Sequence, residues 1–156
     1  MSLHAARIAY VNLFASNPQR LADFYSRLFG FAEIEAHRSP IYRCLDANGV
    51  ELGFNAQEAY DLLGIAERNG EDSTAVRAYF TIEMDAAEAV NTIAAAAMEQ
   101  GGRVIKQPYD TYYNARQAVL EDPEGNVFRV NHRMGPRTPW AEIEKSGTAP
   151  FKLPTS

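Results

Sequence analysis

The residues able to do chemistry sit at alternating positions. Over residues 7–14, Ile8, Tyr10, Asn12 and Phe14 share one face of an extended segment, and Ala9, Val11 and Leu13 share the other. Over residues 50–55, Val50, Leu52 and Phe54 oppose Glu51, Gly53 and Asn55. Over residues 77–84, Ala78, Phe80 and Ile82 oppose Arg77, Tyr79, Thr81 and Glu83. The aliphatic side of the first segment is the kind a helix covers. The other side carries a phenol and an amide, which need partners if they are buried. A tyrosine-dense stretch, residues 108–114 with Tyr109, Tyr112 and Tyr113, adds aromatic surface.

The usual reactive residues read more quietly. Cys44 lies in a strand with no base or cation nearby in sequence, so it reads as a small core residue. The three histidines, His4, His37 and His132, read as surface or structural. Glu33 and Glu35 read as solvated. Gly101-Gly102 stops a helix and has no phosphate-binding context. Asp122 belongs to a turn.

These residues are positioned by a repeated order of elements. After the first strand, Asn17 is a good N-cap, Pro18 suits the first turn, Leu21, Phe24, Tyr25 and Leu28 form a helical stripe, and Gly30 ends it. Strands are predicted at 31–37, 41–46 and 50–54, the last two joined by the turn Ala47-Asn48-Gly49. A short helix is predicted within 55–69, with Asn55 and Glu58 at capping-box spacing. Residues 70–73 read as a junction. The second unit repeats the plan. A strand at 77–84 leads into a helix opened by Asp85 and Glu88, with Val90, Ile93, Ala94 and Ala97 buried. A short strand at 103–106 follows. A hairpin then turns through Asp122-Pro123-Glu124-Gly125-Asn126. Residues 134–156, with four prolines and Trp140, read as an arm holding one helical turn.

Composition bounds the rest. At 156 residues the chain is one domain, or two half-domains sharing a core. A net charge of -5 without any basic run disfavours nucleic acid. One cysteine excludes an internal disulfide and a thiolate zinc cluster. No long apolar stretch supports a signal peptide or a membrane span, so the expectation is a cytoplasmic protein.

The chain resembles the vicinal oxygen chelate superfamily of glyoxalases, bleomycin-resistance proteins and extradiol dioxygenases. Three stretches carry the likeness. The first is Tyr10-Val11-Asn12-Leu13 with Asn17-Pro18, Leu21-Ala22-Asp23-Phe24-Tyr25 and Leu28-Phe29-Gly30-Phe31. The second is Phe80-Thr81-Ile82 with the alanine-rich helix and Gly101-Gly102. The third is Asp122-Pro123-Glu124-Gly125-Asn126-Val127-Phe128. The resemblance implies an α+β fold: two βαβββ modules whose curled mixed sheets surround a central cavity, in a homodimer. The expected layout is a single glyoxalase-like domain over 1–156, with module one at 7–55, a connecting helix and loop at 56–75, module two at 76–133 and a C-terminal arm at 134–156.

Family enzymes hold a divalent metal with four side chains. On this chain those positions fall on Tyr10, Glu51, Arg77 and Arg129. Arginine has no lone pair to give a metal, so the resemblance implies a member without the usual ligands, and no cofactor or metal is expected. Glu51, Arg77 and Arg129 are expected to converge, either as a salt-bridged cluster or as a positive centre for an anion. The expected ligand-binding set is Tyr10, Asn12, Phe14, Glu51, Arg77, Tyr79, Arg129, Asn131, Tyr112 and Tyr113; no catalytic residue is assigned. The leading expectation is metal-independent binding of a small, polar or anionic, partly aromatic molecule. Two alternatives stay open: an atypical lyase or isomerase using Tyr10 or Glu51, and a non-catalytic structural or regulatory homodimer.

Overall fold

The computed structural model describes residues 5–70 and 74–151. His4 lies outside the described residues, as does most of the predicted junction at 70–73. Contacts divide the chain into two compact units. The first runs up to Ala75 and also takes in Pro123–Asn126; the second holds the remainder.

The first unit opens with β1 (Tyr10–Phe14) and α1 (Pro18–Phe29). Asn17 caps α1 by accepting a hydrogen bond from the Arg20 amide at 3.0 Å. Gly30 ends it in the left-handed region, with φ of 71°. Then come β2 (Ala32–Glu33), β3 (Tyr42–Asp46), β4 (Glu51–Asn55) and α2 (Glu58–Leu62). Asn48 and Gly49 both have positive φ, 58° and 100°, as a two-residue hairpin turn requires. That turn sets the register Asp46 against Glu51 and Cys44 against Gly53.

The second unit holds β5 (Phe80–Glu83), α3 (Ala87–Glu99), β6 (Arg103–Asp110), β7 (Ala115–Glu121), β8 (Val127–Arg133) and α4 (Trp140–Ser146). The two sheets share one topology, β1-β4-β3-β2 and β5-β8-β7-β6. In each, the strand before the helix pairs in parallel with the last strand, and the other pairings are antiparallel.

The two βαβββ units are therefore present. The expectation of curled sheets around a central cavity is corrected: each sheet is open and four-stranded, with its end strands unpaired to one another. In the first sheet the reason is visible at β2, which is two residues long and reaches only Asp46 and Leu45 of β3.

Each helix covers one face of its own sheet. Leu21, Phe24, Tyr25 and Leu28 of α1 are buried with Leu52 and Phe54, and Tyr25 stacks on Phe54 at 5.6 Å. Val90, Ile93, Ala94 and Ala97 of α3 are buried with Ala118, Leu120, Phe128 and Val130. Burying such side chains stabilises by roughly 1.5–3 kcal/mol each before conformational entropy is charged against it.

Several local expectations change. The predicted strand at 31–37 is cut to two residues, and Glu35–His37 forms a 3-10 turn instead. Asn55 ends β4 and does not cap α2, whose N-cap is Gln57. Nor does Asp85 cap α3: Ala86 stands there without a side-chain bond. β6 is longer than predicted and runs through Pro108, with register irregularities against β7. As an end strand it tolerates a residue with no N–H to give.

Candidate functional site

The faces turned away from α1 and α3 carry the polar residues. On the first sheet, paired positions put Tyr10, Asn12, Phe14, Glu51, Gly53, Asn55, Tyr42 and Cys44 on one side. Gly53 is needed there, because a Cβ at that position would run into Asn12 Oδ1 and the Tyr42 ring. A cavity of about 730 Å³ opens on this face, lined chiefly by Tyr10, Phe14, Ile41, Tyr42, Leu62 and Leu63, with His37 and Glu51 at its wall. Phe14 stacks on Tyr60 with ring centroids 3.7 Å apart.

At that wall His37 Nδ1 lies 3.1 Å from Glu51 Oε1 and 3.9 Å from Cys44 Sγ. The donor atoms of His37, Cys44 and Glu51 all fall within 4.8 Å of one another. Glu51 Oε2 is buried and has no hydrogen-bond partner among the described residues. Cys44 is fully buried. Burial pushes its thiol pKa up, and the nearby Glu51 charge adds to the effect. Burial likewise raises the Tyr42 phenol pKa.

On the second sheet, Thr81, Glu83, Gln117, Arg129, Asn131 and Arg133 share the face away from α3. They form a connected polar ladder. The Tyr109 hydroxyl donates to Gln117 Oε1 at 2.8 Å. Gln117 Nε2 donates to the Tyr113 hydroxyl at 2.7 Å and to Asn131 Oδ1 at 3.0 Å. Asn131 Nδ2 donates to Glu83 Oε2 at 2.7 Å, and the Arg133 amide donates to Glu83 Oε1 at 2.7 Å. Burial raises the Tyr109 pKa.

Arg129 lies over this ladder. Its Nε donates to Thr81 Oγ1 at 2.9 Å, and its guanidinium lies 4.8 Å from the centre of the Tyr79 ring. Arg137 stands 4.6 Å from the Tyr113 ring. Among the described residues, no carboxylate lies within ion-pair distance of Arg129, Arg133 or Arg137. These three arginines, with Tyr79, Tyr112 and Tyr113, line a cavity of about 450 Å³ whose one carboxylate, Glu83, is already engaged. The arm after β8 braces this wall: the Thr138 amide donates to the Tyr113 carbonyl, and Phe151 stacks on Trp140 and meets Tyr112 edge-on.

The expected ligand-binding residues thus fall into two groups. Tyr10, Asn12, Phe14 and Glu51 line the first cavity; Tyr79, Arg129, Asn131, Tyr112 and Tyr113 line the second. Arg77 is exposed, precedes β5 and lines neither. Glu51 Oε1 lies 3.1 Å from His37 Nδ1 within the first unit. Proton abstraction by Glu51 would have to proceed with one oxygen so engaged.

Sequence reasoning missed His37, Cys44 and Tyr42 in the first unit, and Glu83, Gln117, Arg133 and Arg137 in the second. A signal existed for Cys44: the two-residue turn at Asn48-Gly49 fixes the hairpin register, and counting back from Glu51 puts Cys44 on the same face. The donor set at the family's usual metal positions does not fit a metal, because two of the four are arginines. The cluster of His37, Cys44 and Glu51 nevertheless offers three ligand types in one place. The expectation of a member lacking the usual metal ligands, and with it metal-independent binding, is corrected on that ground.

Residues 7–130 match the family described as the Glyoxalase/Bleomycin resistance protein/Dioxygenase superfamily. The crystal structure of a glyoxalase/bleomycin resistance protein/dioxygenase family enzyme from Burkholderia phytofirmans PsJN is 42% identical, with a TM-score of 0.77 over 81% of this chain and 98% of that one. A glyoxalase-related enzyme from Fulvimarina pelagi is 18% identical, with a TM-score of 0.71 over 83% of this chain and 89% of that one. A glyoxalase/bleomycin resistance protein/dioxygenase from Nocardioides is 18% identical, with a TM-score of 0.69 over 88% and 91%. The last two likenesses are of fold alone. No curated protein matches the chain.

Proposed function

The chain belongs to the glyoxalase/bleomycin resistance protein/dioxygenase superfamily, and from that premise we propose that it binds a small anionic molecule with an aromatic part on the second sheet. The observation that supports this is Arg129, held by Thr81 and the Tyr79 ring, with no carboxylate partner among the described residues. Arg133 and Arg137 add positive charge to the same cavity, and Tyr79, Tyr112 and Tyr113 add flat apolar surface. A guanidinium preset by neighbours meets a carboxylate or phosphate with little reorganisation.

The test compares hydroxybenzoic acids with their neutral methyl esters by calorimetric titration. The acids bind, the esters bind at least ~10-fold more weakly, and Arg129→Gln removes the difference. Equal binding of acid and ester, or none of either, sinks the reading.

No helix among the described residues is long and apolar enough to cross a membrane. We further infer a homodimer in a reducing, cytoplasmic setting. The exposed Tyr10, Leu62 and Leu63 around the first cavity and the buried free Cys44 support this. Sedimentation velocity at micromolar concentration tests the dimer; a monomer throughout would refute it.

A further inference from the structure

We propose that His37, Cys44 and Glu51 form a site for a thiophilic divalent cation of the zinc type, with a fourth position open toward the cavity of the first unit. Three independent observations carry this. The first is the donor set: imidazole, thiol and carboxylate together select zinc-like ions over magnesium or calcium, which want oxygen ligands only.

The second is spacing. Tetrahedral zinc with bonds of ~2.0–2.3 Å sets its donors roughly 3.3–3.7 Å apart. His37 Nδ1 is 3.1 Å from Glu51 Oε1 and 3.9 Å from Cys44 Sγ, and no pair exceeds 4.8 Å. Small side-chain rotations close that gap. His37 is free to make them, being 47% exposed at the end of a 3-10 turn.

The third is the orphaned oxygen. Glu51 Oε2 is buried without a hydrogen-bond partner among the described residues. Such an atom normally finds a donor or a cation. A metal ion held by the Glu51 carboxylate satisfies it.

Cys44 and Glu51 project from paired strands β3 and β4, which makes two of the donors rigid, while the third swings in from the turn. His37 and Glu51 both line the cavity wall, so the vacant coordination position points to a space bounded by Tyr10, Asn12 and Tyr42. On binding, the Cys44 S–H bond breaks, a sulfur–metal bond forms, and the proton leaves to solvent; no electron is transferred. Water or an oxygen-bearing ligand completes the shell. The site lies wholly within the first unit and stands apart from the anion reading, which concerns the second.

The test titrates tag-free, chelator-treated protein with Co²⁺ and then Zn²⁺. The expected result is one cobalt per chain, with a near-ultraviolet thiolate-to-metal band and visible bands of tetrahedral cobalt, displaced by zinc. Cys44→Ser abolishes the thiolate band. His37→Gln, at a half-exposed position that leaves the fold intact by circular dichroism, weakens binding more than ~100-fold, since loss of a direct ligand exceeds the ~10–100-fold cost of losing a supporting one. A folded wild type without the thiolate band overturns the site. So does cobalt affinity unchanged in His37→Gln. Binding of hydroxybenzoic acids bears only on the second unit, so the two ideas fail separately.

Discussion

His37 Nδ1 lies 3.1 Å from Glu51 Oε1, while the second Glu51 oxygen is buried with no hydrogen-bond partner among the described residues. The carboxylate is more shielded than the imidazole, at 20% against 47% exposure. Removing the imidazole therefore leaves a mostly buried acceptor worse served than a surface pair would. We expect His37→Ala to cost about 1 kcal/mol. Adding Glu51→Gln should recover part of that loss, because a neutral amide is cheaper to bury. Urea denaturation of the wild type, both single variants and the double variant measures the coupling. Additive losses would show that the pair is not an energetic unit.

The close approach of Asn12 and Tyr42 over Gly53 predicts a substitution that reshapes the cavity. Gly53→Ala places a methyl group against both side chains. The expected cost is about 1–3 kcal/mol of overpacking, with the Tyr42 ring displaced. A crystal structure of the variant, or a change in Tyr42 ring NMR shifts, checks it. An unmoved Tyr42 would count against the geometry.

Glu124 predicts an unexpectedly large effect for an acidic residue in a turn. Its carboxylate accepts from the Ser16 amide at 3.1 Å, the Asn17 amide at 3.0 Å and the Ser16 hydroxyl at 2.7 Å. A negative group at the start of α1 also suits the helix dipole. Glu124→Ala should cost about 1–2 kcal/mol, measured by urea denaturation. A loss under ~0.5 kcal/mol, the usual surface value, would refute the clamp.

Alkaline pH should loosen the fold. Burial raises the phenol pKa values of Tyr42 and Tyr109 above the ordinary tyrosine value of about 10. The unfolded chain then loses these protons at lower pH than the folded one. Their contribution is complete below about pH 10 and is lost as pH rises through the folded pKa. Tyr42→Phe and Tyr109→Phe should each flatten the fall in melting temperature between pH 9 and 11, as read by circular dichroism. Unchanged slopes in both would contradict the shifts.

The scaffold was easier to read than the site because its signals are local. Asn17-Pro18 and Gly30 bracket α1, Asn48-Gly49 marks a hairpin, and the apolar stripe of α3 is periodic within thirteen residues. His37 depended on something else. A segment with strand-like character folds into a 3-10 turn because β2 pairs for only two residues, and that turn brings the imidazole to Glu51. Arg129 could be tied to a ligand position by resemblance. Its neighbours Thr81 and Tyr113 come from separate segments, and only folding brings them together. Cys44 is fully buried, as a core residue is, yet it lies on the same sheet face as Glu51.

The helix-facing and cavity-facing sides of each sheet have a consequence for evolution. Along β8, Phe128 and Val130 hold α3 in place, and Arg129 and Asn131 line the cavity between them. A saturation scan of this strand would show two interleaved patterns. At Phe128 and Val130 variants would lose protein abundance, as they would at the buried, hydrogen-bonded Asn131, whereas at Arg129 they would keep abundance and change the binding proposed for this cavity. On the proposed reading, selection can therefore retune the tooth of the comb at Arg129 without touching Phe128 and Val130, which make the chain fold.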